Sequence, residues 1–200
     1  RPAVTFNERE QHLLLQEAFE DETMIADATI KIGLGGVDLT SVSSYTDRDI
    51  LVSRDASALT GSVSVDLGFP TAGVLLPSNL RDTTKVKSFT QEVRLSSNGD
   101  GPLQWVLGGF YSNTNRDYAQ RLPTPGYDAF TDVAFGAGTS AAVANGFPLN
   151  SPYNADINYD IEQKAVFGEA SYVFGDQFTL TAGGRYYDFS EDRLFKSGGL

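Results

Sequence analysis

The stretch DIEQKAVFGEASYVFGDQFTLTAGGRYYDFSEDRLF, Asp160 to Phe195, alternates with a period of two on both sides of one turn at Gly175-Asp176. Strand side chains point to opposite faces in turn, so this pattern commits the chain to a long antiparallel hairpin. Phe178, Leu180, Ala182, Gly184 and Tyr186 share one parity, and Gln177, Thr179, Thr181, Gly183 and Arg185 share the other. On the preceding arm Val166, Ala170, Tyr172 and Phe174 oppose Phe167, Glu169 and Ser171, with Phe167 the apolar exception.

Two further hairpins have the same form. Glu22 to Asp55 turns at Gly35-Gly36, a dipeptide suited to the positive φ of tight hairpin turns. Ser88 to Tyr118 turns around SSNGDGP, with Glu92 and Arg94 on one face and Phe89, Val93 and Leu95 on the other. Strands are expected over residues 22–34, 37–54, 85–97, 102–118, 160–174 and 177–195, paired in sequence order. The fold class is therefore all-β, an antiparallel up-and-down meander.

A half-buried sheet of a soluble protein also alternates. Three features favour a membrane instead. The arms exceed the usual five or six residues of a soluble strand. Tight turns lie at one end and very long connections at the other. Aromatics crowd the strand ends, namely Trp105, Phe110, Tyr111, Tyr172, Phe174, Phe178, Tyr186 and Tyr187. These are the marks of a bacterial outer-membrane barrel, whose closed ladder satisfies backbone groups where no water reaches. Glu92, Arg94, Glu169, Thr181 and Arg185 are then expected to face a wet lumen, and the four charged ones to form a ladder across neighbouring strands. Phe89, Val93, Leu95, Phe178, Leu180 and Tyr186 are expected to face lipid.

Charge and composition exclude other classes. The formal net charge of −11 argues against nucleic acid as a partner. Absence of cysteine excludes disulfides and thiolate metal sites. With one histidine, His12, nucleophilic catalysis has little to run on, and no nucleophile-elbow motif occurs. The chain is not expected to be an enzyme, and no cofactor is implied. Glu8 and His12 stand one helical turn apart in Asn7–Asp21, a segment read as loop with a possible short helix, but a solvated acidic loop explains them better than a metal site. Asp47–Asp49 and Ser190–Asp192 carry acids at what would be the membrane rim, and Gly136–Ala141 reads as loop glycine.

Two strand pairs carry a family resemblance. Phe89, Gln91, Glu92, Arg94, Leu95, Trp105, Gly108, Phe110 and Tyr111 fit F-x-Q-E-x-R-L, a turn, then W-x-x-G-x-F-Y. Phe167, Gly168, Glu169, Leu180, Thr181, Gly183, Arg185 and Tyr186 fit F-G-E, a turn, then L-T-x-G-x-R-Y. With VDLTSVSSYTDRD at Val37 to Asp49, they resemble the barrel of TonB-dependent outer-membrane receptors, most nearly the groups of sphingomonad-like Gram-negative bacteria. The resemblance implies that residues 1–200 are a slice of a 22-stranded barrel domain, with a plug and a TonB-engaging N-terminal region encoded elsewhere. It implies outer-membrane lipid, the TonB complex and a small-molecule nutrient (siderophore, vitamin or saccharide) as partners. A passive porin-like or small complete barrel, and a soluble carbohydrate-binding β-sandwich, are the alternatives.

The long segments Ala56–Thr84 and Ala119–Tyr159 are expected as external loops. Their aromatics Tyr127, Phe130, Phe135 and Tyr153 are candidates for ligand contact, or alternatively pack the loops on themselves.

Overall fold

The computed structural model describes residue 8, residues 13–175 and residues 177–199. Six strands form one antiparallel sheet in sequence order: β1 Ala18–Gly33, β2 Val37–Asp55, β3 Asn79–Ser97, β4 Leu103–Arg121, β5 Asn154–Phe174 and β6 Phe178–Gly198. β1 and β6 are its two edges. A β-sandwich needs a second sheet against the first, and the described residues have none. The accessible surface is 13053 Å², against roughly 9,200 Å² for a compact monomer of this mass. The sheet is a wall, with both faces open.

The hairpin turns are tight where the sequence places them. Gly35 and Gly36 both sit at positive φ, 75° and 68°, the mirror-image geometry that follows the twist of paired strands. The third hairpin closes with Phe174 across from Phe178. Asp176 lies outside the described residues.

The strands are longer than the alternation indicates, always at the end away from these turns. β3 starts at Asn79 instead of 85, and β5 at Asn154 instead of 160. In these outer halves the face that is apolar near the turns becomes polar or charged, as at Asp156, Asn158 and Asp160 of β5, where Ala155, Ile157, Tyr159 and Ile161 take the opposite face and the alternation reverses its sense. Backbone pairing nevertheless continues without a break.

The connections at that end are not plain loops. The first carries helices α1 Ser57–Asp66 and α2 Thr71–Val74, and the second carries α3 Tyr127–Phe135 and α4 Thr139–Val143. Gly136–Ala141 thus leads into one turn of helix, where Asp132 accepts the Ser140 amide at 2.8 Å. That bond, with one from the Gly138 amide, holds the Asp132 carboxyl below its usual range. The two connections merge into one cap. Phe69 packs on Tyr127 and Phe130, with ring centroids 5.2 and 6.1 Å away. The buried Thr124 hydroxyl donates to the buried Ser78 hydroxyl at 2.8 Å, tying the second connection to the first. Residues 18–21 of the N-terminal segment read as loop with a possible short helix are strand, and His12 lies outside the described residues.

Candidate functional site

Register sorts the side chains into two faces. Leu180 is across from Tyr172, Tyr172 from Leu103, and Leu107 from Leu95, so these residues share one face with Val93, Phe89, Phe178 and Tyr186. Glu92, Arg94, Glu169, Thr181 and Arg185 share the other. The expected division into two sets is thus a division into two faces. Phe110 and Tyr187 belong to the polar face. Their neighbours Tyr111 and Tyr186 take the places at the margin of the apolar one.

The apolar face has a limit. The ninth residue counted from the turn is Tyr45 in β2, Phe89 in β3, Tyr111 in β4 and Tyr186 in β6, all four on that face. Between turns and aromatics lie Ile30, Leu39, Val93, Leu95, Leu107, Ala170 and Leu180, and Val166 stands level with Tyr186. Nine residues are about 30 Å of strand, or about 23 Å in height at a tilt of about 40°. Beyond the aromatics the same face becomes charged, with Asp47, Asp49, Lys87, Lys85, Asp117, Lys164, Glu162 and Asp188. One polar group interrupts the apolar zone, and it is satisfied internally. Ser43 donates to Gln91 Oε1 at 2.5 Å, and Gln91 Nε2 donates to Ser41 Oγ at 2.9 Å.

The polar face near the turns is held differently from the expected ladder. Arg94 pairs with Glu92 at 3.3 Å along its own strand. Arg185 crosses strands, but onto rings, lying 5.4 Å from the Phe110 centroid and 5.7 Å from that of Phe167. Phe167 in turn covers Gly108, where a Cβ would meet the ring at 2.3 Å. The apolar exception in the alternation therefore fills a space that only glycine leaves. Thr181 and Ser171 share a hydrogen bond of 2.8 Å.

Further from the turns, the polar face carries its densest side-chain network. Asp82 accepts from Arg54 at 2.5 Å, from the Tyr118 hydroxyl at 2.9 Å and from Gln120 at 2.6 Å. Above it, beneath α1, is a cleft of about 300 Å³ lined by Leu59, Val63, Leu80, Gln120, Leu122 and Tyr153 among others. Below it, Arg116 lies 6.0 Å from the Tyr118 ring centroid and 5.5 Å from that of Tyr159.

The four loop aromatics separate. Tyr127 is 2% exposed and its ring is enclosed by the cap. Phe130 lies against Gly73 and Phe69. These two hold the cap together, and Tyr127 also borders the cleft beneath α1. Phe135 and Tyr153 are 49% and 45% exposed, and Tyr153 borders the cleft. Arg116, Tyr118 and Tyr159 were not singled out by sequence, because their common face becomes visible only once register is known. Among the described residues no three His, Asp or Glu side chains converge as metal ligands.

A single wall of long meandering strands, with tight turns at one end and a folded cap at the other, defines a segment of a large β-barrel. Residues 21–198 match the family described as TonB dependent receptor-like, beta-barrel, and the chain belongs to that family. Among solved structures it is similar to the ferric yersiniabactin uptake receptor FyuA from Yersinia pestis, with TM-score 0.58 and 11% identity over 90% of this chain. It also matches the siderophore receptor PiuA from Acinetobacter baumannii, with TM-score 0.38 and 11% identity over 91% of this chain. The chain spans 25% of the first protein and 30% of the second. No curated protein sequence matches it.

Proposed function

We infer that the chain is part of the barrel wall of an outer-membrane receptor in a Gram-negative cell, one that takes up a scarce small nutrient with energy supplied through TonB. The observation carrying this reading is the bounded apolar zone. It is about as tall as the apolar band of an outer-membrane barrel, ringed by aromatics, and backed by a polar face. In this reading lipid meets Phe89, Val93, Leu95, Phe178, Leu180 and Tyr186, while Glu92, Arg94, Glu169, Thr181 and Arg185 line the interior. The cap stands outside the cell, and Tyr153 and Phe135 are the loop aromatics placed to meet an arriving ligand. Siderophores, vitamins and saccharides are the nutrient classes for such a receptor. TonB would be engaged by an N-terminal region of the whole receptor. The protein would act by binding and moving its ligand, without chemistry on it.

The test is growth on each nutrient class as limiting source, in strains carrying or lacking the whole receptor gene, with TonB intact or deleted. Loss of uptake in either deletion is expected. Uptake that needs the receptor but survives loss of TonB would instead make it a passive channel.

A further inference from the structure

We propose that the inner wall carries a binding site for an organic anion. Arg116 would take the carboxylate, and the cleft beneath α1 would take the apolar body. The proposal rests on the receptor reading above, which makes this face the lumen.

Arg116, like Arg193 in the same row, differs from the polar-face arginines whose partners are clear. Arg48 pairs with Asp21, Arg54 with Asp82, and Arg94 with Glu92. Arg185 lies 5.4 and 5.7 Å from two phenylalanine ring centroids. Arg116 is exposed and makes no ion pair among the described residues. This occurs in a chain with 26 acidic and 15 basic side chains, where a carboxylate is the easiest partner to find. Its lateral neighbours are Val86 and Tyr159, and its neighbours along the strand on this face are Thr114 and Tyr118. The diagonal positions are Thr or Ser on β3 and Ile on β5. None is acidic.

The tyrosines do for Arg116 what an acid would do elsewhere. A guanidinium over an aromatic face is held by the ring quadrupole, and its N–H edge stays free. That edge is a planar fork matched to a carboxylate. Arg193 is across from Tyr159 on β6 and adds a second guanidinium to the row. The negative loops would repel an approaching anion, so affinity must come from close contacts at the wall.

The apolar end follows from the same strand. Gln120 lies four residues beyond Arg116, about 13 Å along β4, and borders the cleft with Leu59, Val63, Leu80, Leu122 and Tyr153. A ligand spanning this distance would have its charge toward the cell and its apolar part under the cap. Asp82 would exclude a second negative charge between the two ends.

The whole receptor in lipid nanodiscs, titrated with phenylbutyrate and with its neutral amide by saturation-transfer NMR, tests this. The wild-type protein should bind the acid at least about tenfold more tightly than the amide, as expected for a charge-assisted hydrogen bond. Arg116→Gln should remove that preference. Arg116→Lys, which keeps charge but not the fork, should restore part of it, and Arg81→Gln on the opposite face should change nothing. Equal binding of acid and amide overturns the site, as does an unaltered Arg116→Gln or a folded barrel that binds neither compound. Folding is read separately from mobility on unheated gels. A protein with no heat-modifiable band would overturn the receptor reading, and the site with it.

Discussion

Leu107 is the fifth residue of β4 from its turn, midway between the turn and Tyr111. It lies across from Leu95 on one side and Gly168 on the other, and its side chain is exposed on the apolar face. If that face meets lipid, Leu107→Arg places a charge near the bilayer midplane and costs about 2–4 kcal/mol. Val106 is its neighbour on the polar face, across from Glu169. Val106→Arg gains a carboxylate partner in a wet interior, where a pair of this kind contributes about 0–1 kcal/mol. Depth gives a second axis. Leu180 is only the third residue of β6, so Leu180→Arg should cost less than Leu107→Arg, approaching the roughly 0–1 kcal/mol expected near an interface. Thr181→Arg, on the polar face, should cost less still. The assay is urea-dependent folding of the whole receptor into lipid vesicles, with the band shift on unheated gels as readout. Equal costs at 106 and 107, or a cost at 180 as large as at 107, would refute the assignment of faces or the height of the hydrocarbon zone.

Three further outcomes follow from packing and titration. Gly108→Ala drives a methyl into the Phe167 ring and should cost about 1–3 kcal/mol of folding stability; adding Phe167→Leu should recover part of it in a double-mutant cycle. Tyr127→Ala empties the centre of the cap, and limited proteolysis should then cut within residues 56–78 and 122–153 while the gel shift of the barrel stays intact. Burial raises the Asp55 carboxyl, but hydrogen bonds from Ser57 and from the Leu15 and Leu14 amides outweigh it and bring the group from 3.8 to about 2. A lowered folded value stabilises above the unfolded one and is lost as pH falls through the folded one. Hydrogen exchange should therefore show residues 14 and 15 docked at pH 5, with their protection falling as pH drops from about 4 toward 2; Asp55→Asn should loosen them at neutral pH.

The meander was legible in the sequence because half of each strand has one apolar and one polar face, and Gly35-Gly36 and SSNGDGP have the chemistry of tight turns. Legibility ended at the aromatic limit. Past Tyr111, residues Asn113, Asn115 and Asp117 alternate with Ser112, Thr114 and Arg116, so hydropathy carries no parity there and only neighbouring strands enforce extension. The cap helices were hidden for another reason. α1, SALTGSVSVD, has no apolar stripe, and its buried residues are Ser57, Thr60, Gly61 and Ser64. Ser64 donates back to the Thr60 carbonyl at 2.8 Å. Small polar residues that pack through hydrogen bonds look like loop in a hydropathy pattern. Tyr127 shows the matching ambiguity: an aromatic in a long connection reads alike whether it meets a ligand or a neighbouring loop.

The continuation of the strands past their aromatic limit has a consequence for what can touch this protein from outside. About ten residues per strand, some 25 Å when tilted, rise clear of the lipid in the proposed orientation. Unlike a flexible loop, this turret is braced by a ladder on both sides. Asp49, Lys85, Asp117 and Glu162 are therefore displayed at fixed spacing on its outer wall. A bulky agent such as an antibody can grip that wall even where the cap above it changes sequence, and can do so without blocking the mouth.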